Sequence, residues 1–210
     1  MGCNRSTVCA VCCCLLTIMI SIGGIVCLVA FLLVVPLHKM KFHVIDASLT
    51  EFYLTNDDIL HYNLAVNISV RNNNKMERIS YSDISSNIMC YGQSLTSISL
   101  SSFRLGTKNT TSLHLVFQGQ STSFNLQGSD LRDFSNDQRD GSYMIYVDLF
   151  LTTQLKYAGG GDSTKNDIVV ECELSRLPLL GSSSLFSNQS GIGDLFHSKR
   201  CEVYIENNEG

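Results

Sequence analysis

Two hydrophobic patterns divide the chain. From Ser6 to Leu37 no residue is charged, and the stretch from Val8 to Val35 is apolar almost throughout. A helix on the surface of a soluble domain shows a polar face, and this stretch has none. About 20 apolar residues cross a bilayer as a helix, whereas the apolar part of a cleavable signal peptide is about 7–15 residues long. The pattern therefore predicts a short cytosolic tail over residues 1–7, one transmembrane helix over 8–37 and a folded domain over 38–210. Gly23 and Gly24 offer a close-packing face on that helix, through which copies of the chain could associate.

Beyond Lys41 the period changes to two. In NLAVNISVRN (Asn63 to Asn72), Leu64, Val66, Ile68 and Val70 alternate with Asn63, Ala65, Asn67 and Ser69, the signature of a strand with one buried face. Further strand-like runs are Phe42 to Leu54, Ser86 to Gly92, Ser97 to Leu105, Ser112 to Gly119, Ser142 to Tyr157, Asp167 to Leu174 and Lys199 to Ile205. Turn residues separate them at Asn56 to Asp58, Gly106 to Asn109, Asp140-Gly141 and Gly159 to Asp162. About eight strands at this spacing predict an all-β domain, an antiparallel sandwich or barrel. Ser129 to Asp140 is charged and predicts one short helix across an edge, and the Ser/Gly-rich stretch from Pro178 to Asp194 predicts a surface loop.

Charge follows the same division. Three of the fifteen basic residues, Arg5, Lys39 and Lys41, flank the apolar stretch; twelve remain in the domain against nineteen Asp and Glu, a balance of −7. An acidic domain without basic runs argues against nucleic acid as a partner. Flanking charge does not orient the helix. Three N-x-[ST] sequons, at Asn67, Asn109 and Asn188, point to a luminal or extracellular domain, because the acceptor is used only there.

Nine cysteines fall into two groups. Cys3, Cys9, Cys12, Cys13, Cys14 and Cys27 lie in or beside the apolar stretch. The C-x-x-C-C-C spacing has no histidine or carboxylate nearby, so no metal is expected. Cys3, Cys12, Cys13 and Cys14 are candidates for S-acylation, and MGCNRS fits the pattern for myristoylation of Gly2. Cys172 and Cys201 lie in strand-like runs and are either a disulfide, closing a loop of about thirty residues and contributing roughly 3–4 kcal/mol, or two buried thiols. Cys90 is then left as a buried thiol.

Catalytic patterns do not emerge. The five histidines form no metal-ligand or nucleophile motif, and there is no G-x-S-x-G, P-loop or dinucleotide fingerprint. His114, flanked by Leu113 and Leu115, is expected to face solvent. Neither an enzyme nor a cofactor is expected.

One short stretch carries a resemblance. In VRNNNKMERISYSD, a strand ending at Val70 is followed by Asn72, Asn73, Asn74 and Lys75, then Arg78, Ile79 and Tyr81. This is similar to the N-P-N-K pattern of harpin-induced and non-race-specific disease-resistance-type plant membrane proteins, which carry a late-embryogenesis-abundant group-2 domain. The C-x-L and C-x-V strands around Cys172 and Cys201 match as well. Asn73 stands where the pattern has proline; asparagine can take the same backbone region and close an Asx-turn. Lys75, Glu77 and Arg78 read as a solvated rim around a connection between two sandwich edges.

The resemblance implies a fibronectin-III/immunoglobulin-like sandwich in the extracellular or luminal space. It implies a single-pass plasma-membrane protein with a cytosolic amino terminus. The role would be non-enzymatic, in defence or stress responses, through protein partners that the sequence does not identify. The alternatives it implies are a desiccation protectant tethered to a membrane and a domain that binds lipid between its sheets.

Overall fold

The computed structural model describes residues 14–29, 40–75, 77–157, 165–180 and 198–205. The chain divides into two units, Met1–Met40 and Lys41–Gly210. Apart from Met40, which opens the first strand, the described part of the first is helix α1, residues 14–29. Its side chains are exposed all the way round, Met19 at 69% and Ile20 at 73% among them. Its two hydroxyls are satisfied within the helix: Thr17 donates to the carbonyl of Cys14 and Ser21 to that of Thr17. No described helix is long and apolar enough to cross a membrane. Residues 8–13 and 30–37 of the expected span lie outside the described residues.

The second unit is built from ten described strands and one helix: β1 (Met40–Leu54), β2 (Leu60–Asn72), β3 (Glu77–Cys90), β4 (Gln93–Leu100), β5 (Phe103–Leu105), β6 (Thr110–Ser121), α2 (Ser129–Asp140), β7 (Ser142–Tyr157), β8 (Lys165–Pro178), β9 (Lys199–Arg200) and β10 (Glu202–Ile205). They form two sheets, ordered β6-β2-β1-β9 and β10-β8-β7-β3-β4, with β5 paired to β3 beside β4. The period-two pattern is what allows this. Leu64, Val66, Ile68 and Val70 of β2 are fully buried, while their neighbours in sequence face outward.

The core lies between the sheets. Phe42 of β1 meets the ring of Tyr81 of β3 edge-on at 6.4 Å, and Phe52 of β1 lies 4.6 Å from Tyr143 of β7. Aromatic pairs in such geometries contribute roughly 0.5–1.5 kcal/mol beyond the area they bury. Helix α2 adds a second aromatic cluster. Its one buried residue, Phe134, packs against Phe52, Tyr91, Phe124 and Tyr143. Gly141 ends the helix at φ 66°, and its N–H reaches the carbonyl of Asp137.

The run Ser97 to Leu105 is broken at residues 101–102 into β4 and β5, and three further features depart from the pattern read in the sequence. First, β3 is one long strand with an irregularity between Ser82 and Ser85, where Asp83 has φ 50°. The run read from the sequence, Ser86 to Gly92, covers only the later part of this strand. Second, Tyr91 and Gly92, at φ 47° and 73°, make a two-residue hairpin between β3 and β4. Two left-handed residues match the twist of the flanking strands, and Tyr-Gly is a weaker signal for this than Asn-Gly. Third, the single run Lys199 to Ile205 splits at Cys201: β9 pairs with β1 in one sheet and β10 with β8 in the other.

Candidate functional site

The asparagine-rich connection carries the chain from β2 in one sheet to β3 in the other. Asn72 is fully buried. Its Oδ1 accepts the N–H of Asn74 at 2.9 Å, closing an Asx-turn. Its Nδ2 donates to the carbonyl of Glu77 at 2.9 Å and to that of Gly106 at 3.0 Å. The backbone reinforces the same contact, since the Asn72 N–H donates to the Asn109 carbonyl and the Lys108 N–H to the Asn74 carbonyl. One carboxamide thus fastens its own loop to the turn between β5 and β6.

The neighbours have different roles. Asn73 Oδ1 accepts from Arg71 Nε at 2.8 Å. Asn74 is 1% exposed, and its side-chain amide finds no hydrogen-bond partner among the described residues. Lys75 and Arg78 are exposed, whereas Glu77 is buried at 8%. Tyr81 is buried between Phe103, which it stacks on at 4.6 Å, and Phe42, and burial pushes its hydroxyl pKa well above the ordinary range.

These positions correct three expectations. Asn72, not Asn73, supplies the Asx-turn: its carboxamide is held inward by the carbonyls of Glu77 and Gly106, while that of Asn73 accepts from Arg71 instead. Glu77 is not part of a solvated rim, since the first residue of β3 already points inward. The connection joins two inner strands, β2 and β3, rather than two sheet edges.

The candidate modification sites are scattered. Asn67 sits on the outward face of β2, directly across from His114 of β6, and its carboxamide meets His114 Nδ1 at 2.6 Å and Asp46 at 3.4 Å. Asn109 is exposed in the turn before β6 and accepts the Thr110 N–H. Asn188, Gly2, Cys3, Cys12 and Cys13 lie outside the described residues. Cys14 is exposed at the start of α1.

Cys172 of β8 and Cys201 form a disulfide, with Cα atoms 4.5 Å apart. Cys90 is a buried thiol that contacts the Met144 carbonyl at 3.3 Å. Burial, with the nearby Asp137 carboxylate, pushes it up to about 12. Beside it the Tyr91 hydroxyl donates to Asp137 at 2.6 Å, and burial first, then that bond, raises its pKa. A neutral thiol and a neutral phenol held this way are structural groups; a nucleophile needs the opposite shift.

Two sheets around one aromatic core, fastened by a buried asparagine at the cross-sheet connection, define an all-β sandwich domain. No protein-family model matches the chain. It is 37% identical to NDR1/HIN1-like protein 10 of Arabidopsis thaliana over 181 residues, 81% of this chain and 78% of that protein. It is 32% identical to NDR1/HIN1-like protein 3 of the same plant, over 86% of this chain and 74% of that one. The chain belongs to the NDR1/HIN1-like family. A solution structure of an Arabidopsis thaliana protein aligns with 64% of this chain and 80% of its own at 17% identity, with a TM-score of 0.31.

Proposed function

We propose that this chain is a membrane-anchored, non-enzymatic protein of plant defence or stress responses, acting through protein contacts made by its extracellular domain. The observation that carries the reading is α1, a helix apolar and exposed around its whole circumference in a chain of this family. Such a surface is stable only when lipid or protein covers it. The disulfide and the sequon at exposed Asn109 support an oxidising, luminal side for the domain. The strand order supports the immunoglobulin or fibronectin-III class, with β1, β2 and β6 facing β3, β7 and β8.

Alkaline extraction of membranes followed by enzymatic deglycosylation tests the anchor and the side together. The protein is expected to stay with the membrane and to gain mobility on a gel once its glycans are removed. Release into the supernatant overturns the anchor, and unchanged mobility overturns the luminal domain. For the biological role, plants lacking the protein are expected to support more pathogen growth; normal resistance together with poor survival of drying would favour the desiccation reading. A lipid between the sheets would have to displace Phe42, Phe117 and Tyr81, each at most 1% exposed, so this reading places none there.

A further inference from the structure

The domain is acidic overall, yet one cleft on its second sheet is lined by four cations and no carboxylate. The cleft encloses about 760 Å³, and Arg78, Arg104, Lys108 and Lys156 line it together with the hydroxyl residues Ser80 and Thr107. The strand register explains how residues far apart in sequence meet there. Ile79 of β3 is fully buried and pairs with Leu155 of β7 on one side and Leu105 of β5 on the other. Alternation then turns the adjoining residues outward: Arg78 stands directly opposite Lys156, and Ser80 directly opposite Arg104. Lys108 comes from the β5–β6 turn, the turn that Asn72 and Asn74 hold in place.

Like charges directly opposite each other across a strand pair are unfavourable, and they persist where something compensates them. Among the described residues none of the four cations makes an ion pair. Two guanidinium forks suit bidentate contact with oxyanions, and two ammonium groups add point charges. The volume falls within the range of small-molecule sites. Four positive charges in so small a space are best balanced by a compact group carrying three or four negative ones, which phosphate oxygens supply more densely than single carboxylates.

We propose that this cleft binds a small molecule bearing linked or multiple phosphate groups, and that the Asn72 staple positions one wall of the site. The phosphates could belong to a soluble compound or to a lipid headgroup; the chemistry recognised is the same.

The test uses the full-length chain, produced without glycans so that no sugar covers Asn109 and reconstituted in phosphatidylcholine nanodiscs. Binding of inorganic tripolyphosphate is followed by calorimetry at low and high salt. We expect one site per chain, binding that weakens as salt rises, and at least a tenfold loss of affinity in Arg78→Gln and in Arg104→Gln. Arg132→Gln, an exposed arginine on α2, is expected to bind as the parent does. No binding at millimolar tripolyphosphate overturns the proposal, as does an equal loss in Arg132→Gln. Citrate binding as tightly as tripolyphosphate overturns the phosphate assignment. A short-chain phosphoinositide that binds more tightly than its free headgroup supports the site and assigns it to a lipid; equal affinities support it and assign it to a soluble phosphate.

Discussion

At Asn72 one carboxamide satisfies three backbone groups, the N–H of Asn74 and the carbonyls of Glu77 and Gly106. Leaving a buried polar group without a partner costs about 1–3 kcal/mol. Asn72→Ala is therefore expected to destabilise the domain by about 2–4 kcal/mol in urea unfolding, and Asn72→Asp to be little better, since it has no N–H to give the two carbonyls. An unchanged midpoint would contradict the staple. Cys90 gives a second expectation. Its thiol sits at about 12 in the folded domain against an ordinary value of 9.0, so ionisation favours the unfolded chain. Its contribution to stability is complete below pH 9 and is lost as pH rises from there toward 12. At pH 8 it should resist alkylation until denaturant is added; prompt labelling of the native domain would refute this burial. The turn itself was legible from its asparagines, because side-chain capping is a local effect. Which asparagine closes it was not, because the partner at Gly106 is set by a contact across 34 residues.

Among the elements, helix α2 matches its charged stretch residue for residue, from Ser129 to Asp140. Its single buried side chain makes a sharp prediction. Phe134→Ala removes the ring from a cluster with Phe52, Tyr91, Phe124 and Tyr143 and should cost about 3–5 kcal/mol, read from thermal or denaturant unfolding. A loss below about 1 kcal/mol would mean that the helix only rests on the surface. The carboxyl-terminal run tells the reverse story. Its alternation reads as one strand, and the chain instead changes sheets at Cys201, whose disulfide to Cys172 ties the segment back to β8. The bridge spans 29 residues. Cys172→Ser with Cys201→Ser should lower stability by roughly 3–4 kcal/mol, and an undiminished unfolding midpoint under oxidising conditions would show that the bridge does not form.

For the molecule as a whole, the sheets interlock strands distant in sequence, β2 with β6 and β3 with β7 and β8 beyond it. Neither sheet has a separate core, so residues 41–210 are expected to unfold in one cooperative transition. Calorimetric and van't Hoff enthalpies should then agree, whereas a broad, non-cooperative melt would favour the disordered protectant reading. The sequence by itself determined the apolar amino-terminal stretch, the β-class of the rest and the family, because hydrophobic period and short-range turn chemistry are properties of neighbouring residues. Tertiary structure alone decided which strands share a sheet, that Glu77 turns inward, and that Arg78, Arg104, Lys108 and Lys156 line one cleft. Those residues are dispersed along 79 positions of an acidic chain. Only strand pairing, a long-range choice fixed by burial of Ile79, Leu105 and Leu155 on the opposite face, brings their charges together.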